Sequence, residues 1–290
     1  MKKLVIKFIE YAQFFSTYML SVGNLSLRAN YKQLKGYRNT FVGKRCFIMG
    51  NGPSLNETPL EKLEGEYVWG LNRCHLLFDR IPWRPRFITA VDNVVIPDIA
   101  DEIQDVIIAH PDISFFFPEE FYRKEVLKPN SNVIWFRQRP MEPSKNVLGY
   151  FSYNAGRYLR VPHTVSITAL QLAVYMGFNP IYLIGCDTSY TIPEDVDTEG
   201  TTFDPASGEK IEGYVMTSKT NNDPNHFTPE YFGSGSRWHH PNVNGMLFGY
   251  QMAKKYCNRR GIEVFNATIG GELEVFPRIE FSTIFDKDSL

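Results

Sequence analysis

Four short apolar runs, each ending abruptly on an amide or an acid, constrain this chain more than any other feature. Arg45-Cys46-Phe47-Ile48-Met49 runs into Gly50-Asn51-Gly52-Pro53-Ser54, and Tyr67-Val68-Trp69-Gly70-Leu71 stops at Asn72. Phe87-Ile88-Thr89-Ala90-Val91 stops at Asp92-Asn93, and Ile181-Tyr182-Leu183-Ile184-Gly185-Cys186 stops at Asp187. Apolar runs of this length bounded by turn residues read as buried strands. Ile113–Phe117 and Ile262–Thr268 add two more. The run ending at Asp187 is fed by a helical pattern from Ser166 to Met176, carried by Ile167, Leu170, Ala173, Val174 and Tyr175 and closed by Gly177. A helix feeding a strand through a short glycine turn is half of a parallel-sheet crossover. Val243–Asn258 predicts another helix, and Asp98–Ala109 suits a helix or an irregular crossover. The expected fold is therefore α/β: a single Rossmann-like, doubly wound domain with a mostly parallel sheet.

Two segments stand apart from this alternation. Residues 188–236 are rich in Asp, Glu, Gly, Pro, Ser, Thr and Asn and show no periodicity, so a mobile lid is expected there. Residues 1–38 form an expected amphipathic helical segment, with Leu4, Phe8, Tyr11, Phe15, Tyr18 and Met19 at helical spacing. Lys7 and Glu10 interrupt the opening apolar stretch, which excludes a membrane span. The helix packs on the body or on a second copy, or else serves as a peripheral membrane foot aided by Lys2, Lys3, Lys7, Arg28, Lys32, Lys35 and Arg38. Residues 39–290 are expected to form the catalytic domain.

Composition narrows the function classes. The net charge of −1 argues against a general nucleic-acid binder. The four cysteines, Cys46, Cys74, Cys186 and Cys257, form no C-x-x-C pair and fit no zinc template, so they read as reduced, as in a cytoplasmic protein.

In an open parallel sheet, ligands bind outside the carboxyl ends of the strands. Asn51, Asn72, Asp92, Asn93 and Asp187 therefore converge on one crevice, and an Asn amide offers both donors and acceptors to a base, a ribose or a phosphate. In the Gly50–Ser54 turn, two glycines permit close approach of a phosphate, and Ser54 caps a helix or donates to that phosphate. The turn matches neither G-x-G-x-x-G nor a Walker loop, and by itself it also fits a plain strand-to-helix turn. Among six histidines, His239 and His240 follow the expected lid, where a loop can deliver a base, although a surface role also fits such a pair. Asp195-Val196-Asp197 lies inside the lid and reads as solvated acids rather than a metal site. Tyr190, Tyr214 and Tyr231 suit a departing phosphate, and Arg237 suits a donor carboxylate or phosphate.

Taken together, these motifs resemble a known domain. Phe47–Leu55 and Trp69–Arg73, the Thr164–Phe178 block, Ile181–Asp187, Arg237-Trp238-His239 and Phe265-Asn266-Ala267-Thr268 look like the domain shared by motility-associated flagellin glycosyltransferases and hydroxymethylpterin diphosphokinase-like proteins. The same order is similar, more distantly, to small bacterial sialyltransferases that use CMP-sialic acid, which implies their variant of the GT-A fold. That likeness implies nucleotide contacts from Gly50, Asn51, Gly52, Pro53, Ser54, Asn72, Asp92, Asn93, Thr164 and Ser166, with Gly185, Cys186, Asp187 and Thr188 beside the nucleotide. It further implies Tyr190 at the leaving phosphate and His239 as general base with His240 in reserve, while Tyr231 and Arg237 are added as donor phosphate or carboxylate contacts from their side-chain chemistry alone.

The expected activity is transfer of a sialic-acid-like or related 2-keto sugar acid from a CMP donor to a bacterial surface glycan or glycolipid, with inversion. The CMP phosphate leaves with one negative charge and needs less metal help than a diphosphate, so no cofactor is required and a divalent metal at most stimulates. The expected place of work is the cytoplasm at the inner face of the plasma membrane, and a homo-oligomer stays open. Two alternatives remain: an ATP- and Mg²⁺-dependent diphosphokinase on the same scaffold, and a non-catalytic nucleotide- or glycan-binding partner.

Overall fold

A computed structural model describes residues 24–139, 147–161, 163–203 and 210–286. At its centre lies a sheet of seven strands: β1 (Cys46–Met49), β2 (Val68–Leu71), β3 (Phe87–Thr89), β4 (Ser114–Pro118), β5 (Val133–Phe136), β6 (Ile181–Ile184) and β10 (Val264–Asn266). Their spatial order is β10-β6-β1-β2-β3-β4-β5, and every neighbouring pair is parallel. The apolar runs are unbroken because both faces of β1, β2, β5 and β6 are buried. Helix α3 (Val165–Met176) covers β1, β2 and β3 on one face, beside rings such as Phe41 stacked 4.6 Å from Phe178. Gly177 ends α3 at φ +90°, where a side chain would be strained. The opposite face carries single 3₁₀ turns, Leu60–Leu63 and Cys74–Leu77, and the C-terminal turn Phe281–Phe285 stacked on Phe47. The first two crossovers are thus 3₁₀ turns rather than α-helices. Helix α2 (Ala100–Ala109) buries Ile103 and Ile107, and α4 (Val243–Asn258) packs beside α3.

The edge strand β5 was not among the sequence expectations, and its outer edge is closed in an unusual way. Helix α1 (Leu25–Gly36) turns Leu27, Asn30, Tyr31 and Leu34 inward and lies against β5. The Asn30 amide donates to the Val133 carbonyl at 3.0 Å and accepts the Trp135 N–H at 2.9 Å, replacing a neighbouring strand. Asn30→Ala strips partners from two backbone groups. It should lower stability by about 2 kcal/mol or more, read from the midpoint of urea unfolding. An unchanged midpoint would show that water serves that edge equally well.

The described part of the N-terminal segment thus packs on the body and leaves Arg28, Lys32 and Lys35 exposed. The helical spacing from Leu4 to Met19 lies outside the described residues. Among the described residues, no helix is long and apolar enough to cross a membrane.

Residues 188–236, expected as a lid without periodicity, contain regular strands. They contribute β7 (Val196–Phe203) and β8 (Lys210–Ser218), which join β9 (Arg237–His239) in an antiparallel sheet ordered β9-β8-β7. The period-2 signal was present in Tyr214, Met216 and Ser218, which face the central cavity, but Thr and Gly disguised it. Asp197 sits in β7 with its side chain in solvent, paired to Lys219 at 2.6 Å. All four cysteines are buried and unbridged.

Candidate active site

The strand order fixes where a site can form. From β1 the chain steps outward through β2, β3, β4 and β5, then returns to lay β6 and β10 on the other side of β1. Loops leaving β1 and β6 therefore diverge, and a crevice opens between their carboxyl ends. A cavity of about 500 Å³ occupies that position.

The two loops are locked together at its base. Gly50 N–H donates to the Ile184 carbonyl at 2.8 Å and Gly52 N–H to the Gly185 carbonyl at 3.0 Å. A Cβ on Gly50 would lie 2.1 Å from the Gly185 oxygen, and one on Gly52 would lie 1.8 Å from an Asp187 carboxylate oxygen. The glycines are thus required by the neighbouring loop and not only by a ligand. Ser54 also turns inward: its Oγ donates to Asp187 at 2.7 Å and its N–H at 3.2 Å. Burial holds the Asp187 carboxyl above its ordinary value despite those bonds. Asp187 serves as the cap of the turn Pro53–Asn56, so Ser54 and Pro53 stand behind the wall while Gly50, Asn51, Gly52 and Asp187 line it.

The amides come next. Asn51 donates through Nδ2 to the Leu71 carbonyl at 2.9 Å and to the Tyr231 hydroxyl at 3.0 Å. Asn72 adopts φ +46° and ties its N–H to the Thr89 carbonyl at 3.0 Å. Among the described residues, Asn51 Oδ1 and Asn72 Oδ1 are buried acceptors without a partner, which is costly unless a ligand supplies donors. Asn93 completes this side of the wall.

A carboxylate–imidazole pair lines the same cavity. His239 Nδ1 lies 2.9 Å from Asp92 Oδ2, with the ring against Tyr214. Asp92 Oδ1 accepts the N–H groups of Val94 at 2.8 Å and Val95 at 2.9 Å. Asp92 therefore serves His239 and the following turn, a placement that differs from the expected nucleotide contact. Burial pushes the Asp92 carboxyl up, but the hydrogen bond and charge of His239 and the two backbone N–H groups prevail and hold it below the ordinary value. Such a group contributes stability that is full above the ordinary carboxylate range and lost as pH falls through the lowered value. Asp92→Asn should therefore be less stable than the parent at neutrality, with the gap closing in acid. Urea unfolding across that range reads it, and a gap independent of pH would count against the pairing.

His240 also lines the cavity, its N–H bound to the Tyr214 carbonyl at 2.8 Å, but among the described residues its buried Nδ1 has no hydrogen-bond partner. The amino end of α3 supplies another wall. Thr164 Oγ1 lies 2.8 Å from Ser166 Oγ, which shares a hydrogen bond with the Tyr250 hydroxyl. Backbone N–H groups of this first turn have no helical acceptors, which makes it a ready anion site. Gly185, Cys186, Thr188 and Tyr190 line the remainder. Burial pushes the Cys186 thiol up to about 12, which rules it out as a thiolate nucleophile. Tyr190 is 39% exposed as a whole, but burial on the cavity side pushes its hydroxyl up to about 12, so it stays a proton donor.

Two expected phosphate contacts lie elsewhere. Tyr231 is 1% exposed and sits behind the wall, accepting from Asn51. Arg237 points away from the cavity and pairs with Asp98 through Nε at 2.8 Å, because alternation along β9 sends it to the face opposite Trp238. Both are corrected from ligand contacts to supporting roles. A residue that sequence reasoning passed over, His226, does line the cavity, with Asp223 Oδ2 at 2.6 Å from its Nδ1. The local signal was the Asp-Pro-Asn-His turn, in which Asp223 Oδ1 accepts the Asn225 N–H at 2.8 Å. Among the described residues, no group of three or more His, Cys, Asp or Glu side chains is gathered to hold a metal ion.

Comparisons with known proteins add the following. The family described as 6-hydroxymethylpterin diphosphokinase MptE-like matches residues 23–193. Among solved structures, the MAf glycosyltransferase from Magnetospirillum magneticum aligns at 15% identity and a TM-score of 0.44, over 87% of this chain and 38% of that one. This chain thus spans about two fifths of that protein. The sialyltransferase CstII from Campylobacter jejuni, in complex with cytidine-5′-monophosphate, aligns at 13% identity and a TM-score of 0.43, over 82% of this chain and 85% of that one. No curated protein matches.

Proposed function

We propose, proceeding from the fact that this chain belongs to the 6-hydroxymethylpterin diphosphokinase MptE-like family, that it is a glycosyltransferase with a CMP-activated donor. The observation that carries this reading is one cavity lined both by the Asp92–His239 pair and by the unpartnered amide carbonyls of Asn51 and Asn72. A carboxylate on Nδ1 leaves Nε2 of a neutral imidazole free to take a proton, the requirement for attack by a sugar hydroxyl. Asn51 Oδ1 and Asn72 Oδ1 want donors, and ribose hydroxyls and the 4-amino group of cytosine are donors. Uracil offers a carbonyl in place of that amino group. This acceptor-rich wall favours cytosine.

The transfer proceeds by attack of an acceptor hydroxyl on the anomeric carbon while the bond to the phosphate oxygen breaks. His239 takes the hydroxyl proton and Asp92 holds its ring. Tyr190, together with Thr164, Ser166 and the free N–H groups opening α3, meets the phosphate and the carboxylate of a sialic-acid-like or related 2-keto sugar acid. The acceptor is a bacterial surface glycan or glycolipid at the inner face of the plasma membrane. The exposed cations of α1, Arg28, Lys32 and Lys35, support that location.

The diphosphokinase named in the family's description needs carboxylates open to Mg²⁺. The acids on this wall are already engaged, Asp92 with His239, Asp187 with Ser54 and Asp223 with His226. Thermal melts with CMP, CDP, UDP, GDP and ATP, each with Mg²⁺ and with EDTA, test the choice. CMP or CDP should raise Tm in EDTA by mass action. Stabilisation by ATP alone, and only with Mg²⁺, would overturn the transferase reading.

A further inference from the structure

The cavity holds a second carboxylate–imidazole pair that the transfer step above does not use. His226 Nδ1 lies 2.6 Å from Asp223 Oδ2, and its ring stacks on Tyr231 with centroids 3.9 Å apart and planes 2° from parallel. Arg73 covers Tyr231 at 5.8 Å from the ring centroid and is itself held by Glu102 at 3.0 Å. The assembly is bolted to the nucleotide loop twice. Phe227 N–H donates to the Asn51 carbonyl at 3.0 Å, and the Tyr231 hydroxyl accepts from the Asn51 amide at 3.0 Å. The segment that carries His226 is thus tied to the loop at Asn51, whereas His239 is held by Asp92 in the loop after β3.

Two imidazoles with the same carboxylate arrangement, both lining one cavity, invite a division of labour. An acid–base transfer needs one group to remove a proton from the attacking hydroxyl and another to meet the charge on the departing oxygen. We infer that His226 is the leaving-group residue, which presents its Nε2–H to the donor phosphate as His239 receives the acceptor proton. This rests on the reading of the cavity as a nucleotide-donor site. As the new glycosidic bond forms, the electron pair of the broken bond goes to the phosphate oxygen. The proton from protonated His226 neutralises that oxygen, and the acceptor proton resides on His239. Exchange with solvent restores both rings. Tyr190 lines the same cavity as a second donor, and the arrangement supplies from side chains a charge that other sites obtain elsewhere.

The test separates phosphate recognition from base recognition. Calorimetric titration of the full chain with CMP and with cytidine gives an affinity ratio that reports contacts to the phosphate alone. The parent should prefer CMP by about tenfold or more, as expected of a charge-assisted hydrogen bond. His226→Asn keeps a donor for Asp223 and removes the second nitrogen, so the ratio should fall several-fold with cytidine affinity unchanged. His226→Gln places a neutral amide near that nitrogen and should restore part of the ratio. Melting curves confirm that each variant is folded, and Asp223→Asn, which frees the ring, should lower the ratio if either histidine variant fails to fold. A ratio unchanged in His226→Asn would overturn the assignment of His226 and leave the donor-site reading standing. Equal binding of CMP and cytidine by the parent would also overturn it. Binding of neither would overturn the donor-site reading and this inference together.

Discussion

His239→Gln should abolish nearly all sugar transfer, by about 10²- to 10⁴-fold in kcat, the range lost with a general base. Nucleotide binding should survive, because the amides and glycine loops that form the donor wall belong to other strands. Burial and partners, not position in the chain, choose this residue over its neighbour. His239 has Asp92 at 2.9 Å, whereas among the described residues no carboxylate pairs with His240. The measurement is steady-state transfer from a CMP-sugar to a glycan acceptor, read beside the CMP-induced rise in Tm. A variant with intact binding and undiminished transfer would remove His239 from the mechanism, and His240→Gln would then be the next substitution to assay.

Gly50→Ala should be the most damaging small substitution in the chain, costing about 3 kcal/mol or more of stability. The added methyl would meet the Gly185 carbonyl oxygen at 2.1 Å, and that oxygen already accepts from Gly52 N–H at 3.0 Å. Neither strand can yield cheaply, since Gly50 N–H is itself tied to Ile184. Relief requires β1 and β6 to separate at the switch point, which opens the cavity as well as the core. Gly36→Ala is the control: nothing lies within 4 Å of its new methyl, and it ends a helix. That change should be neutral or should stabilise by about 0.4–1 kcal/mol through the unfolded chain. Urea midpoints of both variants settle the comparison. Equal midpoints would mean that the two loops move apart freely and that the contact is not structural.

Some of this architecture was legible before any coordinates because it is local. Gly177 stops α3 with a left-handed residue, and Val243–Asn258 carries a helical repeat that folds as read. Apolar runs of four or five residues ending on Asn or Asp announced strands whose polar last residues leave the ladder for the crevice. The edge strand β5 was harder, since Val133–Phe136 is short and its closing partner, Asn30, lies about a hundred residues earlier. The hairpin of β7 and β8 hid among threonines and glycines. His226 escaped because its partner and its stacking ring are ordinary residues of a polar stretch until the chain folds back on Asn51.

The sequence by itself determined the fold class, the strand ends that line the site and the glycines at its base, because periodicity, turn chemistry and conformational freedom act over a few residues. Only the tertiary structure decided which acid serves which histidine, and which polar groups face the cavity or stand behind it. Asp92 and His239 are separated by 147 residues, and Arg237 and Trp238 are adjacent yet face opposite sides of β9. Such pairings depend on strand order and register, which no local interaction specifies.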